Sequence, residues 1–424
     1  MQTKYLFSLL GLAAHLAWAQ TPSQPSVLPY SQSPTGVAIA GMTLAQAVQR
    51  AFENNAALRA AHANVGVMEG ARVQAAARPN PELSFLSEGV QQTGNTQTIQ
   101  ISQALELGGK RGARMAAADR DMGIAAAELT QRRASLSADV TAAYFDVLTA
   151  QERGSLASAG VDLAAAAATA TGKRVTAGKV SPVEQMRANV ALSTAKLELT
   201  QAQSELQRSK ARLAALWGGL AEDIDALNTV QPDQQSIRSL DELRRLAQTA
   251  PQMTLSQAQV TREQAVLALE SARRVPNLTV VLGSKREADP RRTQTVVGLS
   301  IPLPLFDRNQ GNVLAARRRV DKARDEHEAQ RIKLDVDLND AYQRAQLAHQ
   351  ELENLRGEVL PAAHSAYDAA TKGFEMGKFS FLEVLDAQRT LFQTRAQYLK
   401  SMSEHYRAMA DLERIVPPAA LVTP

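Results

Sequence analysis

The sequence contains the same short motif twice, at positions 199 residues apart. The stretch TAGKVSPVE ends at Glu184 and the stretch EMGKFSFLE ends at Glu383, with Gly, Lys, Ser and Glu in identical places. Two further similar stretches, ARPNPEL (77–83) and RVPNL (274–278), occur in the same order. Several matches in one order indicate an internal duplication. The predicted organisation is a tail (20–42), two structural repeats (43–228 and 229–416) and a C-terminal tail (417–424).

Each repeat is predicted to contain a first helix, two strands, a very long helix, a sharp turn and a last helix. Thr43 is followed three residues later by Gln, and Ser239 by Glu, which is the spacing of a capping box. Such a pair satisfies backbone amides at a helix start. The first helices are expected to break early, at Asn54-Asn55 and at Ala250-Pro251, because Asn and Pro favour a new helix start.

The helical patterns that follow the strands are unusually long. One extends from Gly109 to about Gly172 and the other from Gly311 to about Gly373. A helix of about 60 residues is about 90 Å long. No compact domain buries such a helix, so it must pack lengthwise against others. Pro361 is expected to kink the second one, because proline removes a helical hydrogen bond.

Between these helices, four segments alternate apolar and polar residues with a period of two, which is typical of strands with two different faces. Each segment is about ten residues long, the length of a tilted transmembrane strand. The residues predicted to face lipid are Leu83, Phe85, Ile99, Ile101, Leu278, Val280, Leu282, Val297, Leu299 and Ile301.

Four membrane strands per chain cannot close a barrel, since the smallest barrels have eight. Open edges in lipid leave backbone groups unpaired at several kcal/mol each. The chain is therefore predicted to form a homotrimer, in which three copies of four strands close a 12-stranded barrel above a hollow cylinder of helices.

The amino terminus has the pattern of an export signal. Lys4 precedes an apolar run, and Ala17-Trp18-Ala19 places small residues where an export peptidase cleaves. Residues 1–19 are predicted to be a signal peptide. The run is too short for a membrane anchor, which needs about 20 apolar residues. The chain has no Cys, so lipidation on Cys is excluded.

Composition excludes several classes of function. Without Cys there are no disulfides, thiolate metal sites or Cys nucleophiles. The net charge is +4 with no long basic run, so nucleic-acid binding is not expected. The six His have no partner at helical spacing and the ten Met do not cluster, so no metal site is predicted. No cofactor and no catalytic residue are predicted, because no phosphate loop, nucleophile elbow or metalloprotease motif is present.

The order of elements, the duplication and the two Gly-Lys-x-Ser-x-x-Glu turns resemble the TolC-type outer-membrane efflux factors, across roughly residues 40 to 416. The stretches ARPNPEL (77–83), QALELGGKR (103–111) and PLPLFDRNQG (302–311) resemble the branch that works with heavy-metal pumps of the cobalt–zinc–cadmium kind. The resemblance implies a mainly α fold with a small β part: duplicated long-helix hairpins in a trimeric α-barrel and an outer-membrane β-barrel. It also implies a periplasmic adaptor and an inner-membrane RND pump as partners, and outer-membrane lipid around the barrel.

The resemblance assigns roles to residues at the two turns. Acidic residues after the turns, Glu383 and Asp386 with Glu184, are expected to form a constriction at the periplasmic mouth that favours cations. The alternative is that Glu184 and Glu383 only cap their helices. The residues expected to dock adaptor hairpins are Arg174, Gly178, Lys179, Ser181, Gly377, Lys378 and Ser380. Their alternative role is simple helix termination.

Three functions remain open at this point. The chain could be a passive exit duct for heavy-metal cations, an exit duct for drugs or type I secreted polypeptides, or a periplasmic coiled-coil adaptor or scaffold. The third predicts no lipid-length alternating strands, so the four strand segments favour a duct. The first two differ in the pump partner, which determines the exported substrate.

Overall fold

Each half of the chain folds as two short helices, an antiparallel pair of strands and two long helices. The structure, a computed structural model, describes residues 41–89, 95–224, 227, 237–288, 291–376, 378–379 and 381–416. The first half contains α1 (Leu44–Asn54), α2 (Ala56–Ala76), β1 (Glu82–Glu88), β2 (Thr96–Leu105), α3 (Lys110–Thr176), α4 (Pro182–Ala215) and a 3₁₀ turn (Ala221–Asp223). The second half contains α5 (Leu240–Ala247), α6 (Pro251–Ala272), β3 (Leu278–Glu287), β4 (Arg292–Ser300), α7 (Gln310–Asn354), a π-helical segment (Leu355–Val359), α8 (Leu360–Glu375) and α9 (Phe381–Glu413).

The predicted fold class, mainly α with four strands, is confirmed. The predicted signal peptide (1–19), the C-terminal tail (417–424) and residues 20–40 lie outside the described residues. Met42, the last residue of the predicted N-terminal tail, is buried and forms a parallel bridge with Leu227. The buried core of the first repeat therefore includes a residue just before α1.

The helix breaks lie where the sequence predicts them. Asn55 separates α1 from α2: its side-chain oxygen accepts from the Leu58 amide at 2.8 Å, and its side-chain amide donates to the Leu216 carbonyl at 2.8 Å. Pro251 is the first residue of α6. Thr43 forms the full capping box, whereas Ser239 accepts from the Glu242 amide without the reciprocal bond.

The two long helices differ from each other. α3 is continuous over 67 residues, which is about 100 Å. Its counterpart is interrupted by the π-helical segment, where the Leu360 amide donates to the Leu355 carbonyl. This interruption directly precedes Pro361, whose missing N–H and bulky ring prevent the regular bond to Gly357. A widened turn thus directly precedes Pro361, and the kink expected at this proline stays a prediction.

Two apolar clusters hold the repeats together where the short helices meet the long ones. In the larger cluster, Tyr144 of α3 donates to the Met42 carbonyl at 2.9 Å. The Phe145 ring stacks on Tyr406 of α9, with ring centroids 3.3 Å apart. The smaller cluster joins α5, α7 and α9 around buried Leu338. α9 thus packs against long helices from both repeats.

At three levels the chain forms a row of four neighbouring elements. The sheet has the order β1-β2-β3-β4, so β2 of the first repeat pairs with β3 of the second. Below the sheet the helices follow the order α2, α3, α6, α7, and towards the turns the order is α4, α3, α9, α8. Within the described residues, the two elements at the ends of each row have a row neighbour on one side only. These end elements are β1 and β4, α2 and α7, and α4 and α8.

The junction between the sheet and the helices of the first repeat is held by Arg114. Its guanidinium donates to both carboxylate oxygens of Glu106, at 2.5 and 3.1 Å, and to the carbonyls of Ala75 and Ala77 at 2.8 and 2.9 Å. It therefore caps the end of α2 and ties it to the residue that follows β2. The Arg114 guanidinium holds the pKa of the Glu106 carboxyl below its usual range.

We predict that Arg114→Ala lowers the free energy of unfolding by about 1.5–3 kcal/mol, the range for losing charged hydrogen bonds to a mostly buried partner. The change leaves Glu106 and two carbonyls without their donor. The matched control is Arg120→Ala, an exposed position on the same helix, which should stay within about 0.5 kcal/mol. Thermal unfolding in detergent measures both, and equal midpoints would contradict the role of Arg114.

Candidate functional site

The residues predicted to face lipid lie on one face of the sheet, named here the apolar face. Strand pairing places Leu83 opposite Ile101, and Ile101 opposite Leu282, so their side chains share a side. Leu282 lies opposite Val297 in turn. The same register aligns Phe85 with Ile99, and Val280 with Leu299, and it leaves Leu278 opposite Leu105. Leu278 and Val280 are half-buried, and the other predicted residues, including Ile301 just past β4, are exposed.

The opposite face of the sheet is mostly polar. It carries Glu82, Ser84, Thr98, Gln100, Ser102 and Gln294, with Leu86, Val281 and Val296 as apolar members. A large exposed apolar surface on a folded chain marks a contact with lipid or with another protein. The apolar side of the sheet is therefore suited to contact with lipid or protein, and the mostly polar side is suited to water.

The connection from β4 to α7 extends the apolar surface beyond the sheet. Leu303, Leu305 and Phe306 are exposed, and Phe306 is the most exposed of them at 91%. Two prolines alternate with these residues in the stretch PLPLF, and a chain of this kind favours an extended course. This stretch carries part of the family resemblance, but its exposure was not predicted. The alternation of Pro with large apolar residues was the available signal.

The first turn, between α3 and α4, presents the predicted docking residues at the surface. The Lys179 amide donates to the Arg174 carbonyl at 2.9 Å and the Gly178 amide to the Val175 carbonyl at 2.9 Å. Gly178 has φ +66°, which favours glycine. Arg174, Gly178, Lys179 and Ser181 are all exposed.

The second turn, between α8 and α9, repeats the same backbone bond. The Lys378 amide donates to the Gly373 carbonyl at 2.8 Å, which is the Lys179–Arg174 bond displaced by 199 residues. The Phe379 ring covers Gly373 so closely that a Cβ has no room there. Lys378 is exposed, and Gly377 and Ser380 lie outside the described residues.

The carboxylates predicted to form the mouth lie near the starts of the helices that leave the two turns. Glu383 and Asp386 are exposed, three residues apart on α9. On α4, Ser181 accepts from the Val183 amide at 3.3 Å, so the predicted capping box with Glu184 is not formed. Glu184 instead pairs with Arg187, three residues further along the same helix, at 3.5 Å. Capping therefore does not account for the Glu184 carboxylate.

An exposed apolar stripe follows α4 upward from the first turn. Val183, Met186, Val190 and Leu197 are exposed at spacings of three, four and seven residues, which places them on one side of the helix. This stripe is a second exposed apolar surface that was not predicted from the sequence. Its heptad spacing was the signal that could have revealed it.

A stripe of small residues lies on α8, which runs towards the second turn. Ala362, Ala366 and Ala369 are exposed at spacings of four and three, and Met376 follows after seven. The α4 stripe is made of large side chains and the α8 stripe mainly of small ones. The two stripes are similar in length and lie on the two end helices of the same row.

None of the described helices is long and apolar enough to span a lipid bilayer. Within the described ranges, no three His, Asp or Glu side chains converge in a way that could hold a metal ion.

A family model for outer membrane efflux proteins matches residues 47–219 and 243–416. The chain therefore belongs to the outer membrane efflux protein family, and the resemblance to TolC-type factors is confirmed. It is 40% identical over 417 residues to the cobalt-zinc-cadmium resistance protein CzcC of Cupriavidus metallidurans, covering 97% of this chain and 99% of that protein.

Solved structures of outer-membrane channels share the fold. The channel OprN superposes with a TM-score of 0.73 at 21% identity, covering 88% of this chain and 89% of that one. CusC superposes with a TM-score of 0.71 at 18% identity, covering 96% of this chain and 98% of that one.

Proposed function

We propose that the chain is the passive outer-membrane duct of a tripartite RND-type efflux system and that it exports heavy-metal cations. The observation that carries the substrate class is the 40% identity, over nearly the whole of both chains, to a protein named for resistance to cobalt, zinc and cadmium. The duct works as a homotrimer joined to a periplasmic adaptor and an inner-membrane pump. The pump supplies the energy and the duct supplies a path.

The end elements of the three rows, which have a row neighbour on one side only, support assembly of several copies. β1 and β4 are the sheet edges, and unpaired backbone groups at such edges cannot remain in lipid. A second copy satisfies them by pairing its β4 with β1. The same rotation brings α4 of one copy beside α8 of the next, where large side chains meet small ones, as in packed helices with close approach. Three copies of four strands give the twelve-stranded barrel.

The apolar face supports insertion of the sheet in the outer membrane, with the polar face lining the duct. The PLPLF connection continues the apolar surface to the periplasmic edge of the barrel. Aromatic residues are enriched at such edges, where a ring lies between hydrocarbon and headgroups. Phe306 suits that position because its ring is almost wholly exposed in the single chain.

We predict that Ile101→Arg sharply reduces the yield of assembled trimer, because a charge facing lipid costs about 2–4 kcal/mol near the membrane midplane. Ser102→Arg is the matched control. It lies on the polar face opposite Glu82, so it should assemble almost normally. Native mass measurement in detergent reports both yields and the oligomeric state. Equal yields, or a stable folded monomer of the unaltered chain, would contradict the barrel assignment.

The two turns support docking of an adaptor at the periplasmic end. Both carry an exposed Lys held by the same backbone bond, although turn geometry does not require Lys there. The proposed docking surface comprises Arg174, Gly178, Lys179, Ser181, Gly377, Lys378 and Ser380. An adaptor hairpin with acidic or hydrogen-bond accepting side chains fits the exposed cations of this surface.

Glu383, Asp386 and Glu184 are proposed to line the mouth of the duct. Residues three apart on a helix lie on one side, so Glu383 and Asp386 face the same way. Threefold closure then stacks two rings of carboxylates, which attract divalent cations. Their mutual repulsion also makes the closed mouth easier to open.

We predict that the double change Glu383→Gln and Asp386→Asn reduces cation preference and weakens block of the pore by added divalent or trivalent cations in planar bilayers. Gln retains a capping side chain, so trimer stability should barely change. Glu404→Gln, an exposed carboxylate far along the same helix, controls for net charge. Unaltered selectivity and block in the double variant would show that these residues only begin α9.

The function is tested by deleting the gene and measuring growth with zinc, cobalt, cadmium, nickel and copper, separately and with toxic drugs. We expect the deletion to cause sensitivity to one or more metals. Expression of the unaltered chain should restore resistance, and expression of the Ile101→Arg variant should not. Sensitivity to drugs alone, or loss of a secreted polypeptide without any metal phenotype, would assign the duct to a different pump.

A further inference from the structure

Two histidines from distant parts of the second repeat meet in the wall of the helical bundle. His349 of α7 and His405 of α9 have ring centroids 5.5 Å apart, with the rings tilted by 39°. They are 56 residues apart in the sequence, so no spacing pattern reveals them. One turn before His405, the Ser401 hydroxyl donates to Glu351 of α7 at 3.3 Å, which confirms that the two helices are in contact at this level.

Neither imidazole has a hydrogen-bond partner among the described residues. His405 is only 6% exposed, and its Nδ1 is enclosed without a partner. A neutral imidazole carries one donor and one acceptor, and a buried polar atom left unpaired costs about 1–3 kcal/mol. A buried group of this kind requires an explanation, such as a bound ion or water.

The surroundings of His405 favour a neutral ring with an available lone pair. The His405 ring lies against that of Tyr406, a member of the larger apolar cluster, which also contains Leu352 and Met402. Burial lowers the pKa of His405 to about 4, and the neighbouring His349 adds to that effect. His405 is therefore uncharged at neutral pH, which is the form that binds metals. His349 is half-buried, so it connects the pair to solvent.

We propose that His349 and His405 together bind one borderline divalent transition-metal cation, such as Zn²⁺, Ni²⁺ or Cu²⁺, with water completing the coordination. Imidazole nitrogen is a preferred ligand of these ions. Metal–nitrogen bonds of 2.0–2.1 Å place two ligating rings at a tetrahedral angle with their centres about 5 Å apart, close to the observed separation. Two protein ligands and an open side make the site exchangeable. Binding links α7 to α9 just above the π-helical segment. The proposal does not require that the chain exports metal.

The test measures metal bound to untagged, chelator-treated protein in detergent, in its assembled state. We expect one equivalent of Zn²⁺ per chain by equilibrium dialysis, no comparable uptake of Mg²⁺, and a Cu²⁺ resonance spectrum with coupling to two nitrogens. His349→Gln and His405→Phe should each lose this equivalent. His62→Gln and His364→Gln are the matched controls and should keep it.

Two results would overturn the site. One is uptake by the unaltered protein no greater than that of the double variant His349→Gln/His405→Phe. The other is that both single variants still bind one equivalent of Zn²⁺ per chain. His405→Phe places an apolar ring in the buried position, and if it fails to assemble, the half-exposed His349→Gln and the Cu²⁺ spectrum decide the question.

Discussion

The backbone groups at the two edges of the sheet impose the constraint on which the rest of the structure depends. A strand in hydrocarbon must pair on both sides, and a chain with β1 and β4 unpaired satisfies this only by adding further copies of itself. The helices obey the same geometry. Because each strand continues into a helix at the same place in the row, the ends of the helical rows lie under the ends of the sheet. The pairing that closes the sheet therefore determines which helices become neighbours.

The junctions between strands and helices transmit this geometry. Arg114 and Glu106 fix the first junction, and the stretches that carry the family resemblance meet there: Gln103 donates to the Pro79 carbonyl at 2.9 Å, and Lys110 bonds to Asn277 of the second repeat. In the second repeat, the Asn309 side chain donates to Glu270 of α6 at 2.8 Å. Different residues perform the same task in the two repeats, because the connection after β4 is longer and apolar.

Periodicity in the sequence predicted the elements and their faces but not their partners. Alternation assigned Ile101 and Leu282 to one face, and Asn55 and Pro251 marked the helix breaks correctly. Alternation has no information on register, so the pairing of β2 with β3 was not predicted. Pro361 led us to expect a kink, and the π-helical segment directly before it was not predicted, since a proline is accommodated equally by a bend or a widened turn. The His349–His405 contact depends on how α7 and α9 pack, and local sequence does not encode that.

The pairing of β2 with β3 also has a consequence for the order in which the molecule acquires its structure. Ile101 meets Leu282, so the central ladder of the sheet joins segments from opposite halves of the polypeptide. Local helices form in microseconds, whereas contacts of such long range require closure of a large loop and are slow. The first repeat can build its helical hairpin as it emerges, but its strands have no second neighbour until the other repeat has been translocated. The complete hydrogen-bonded sheet is thus a late event, and until then β2 is an exposed strand edge that is open to pairing with other chains and to aggregation.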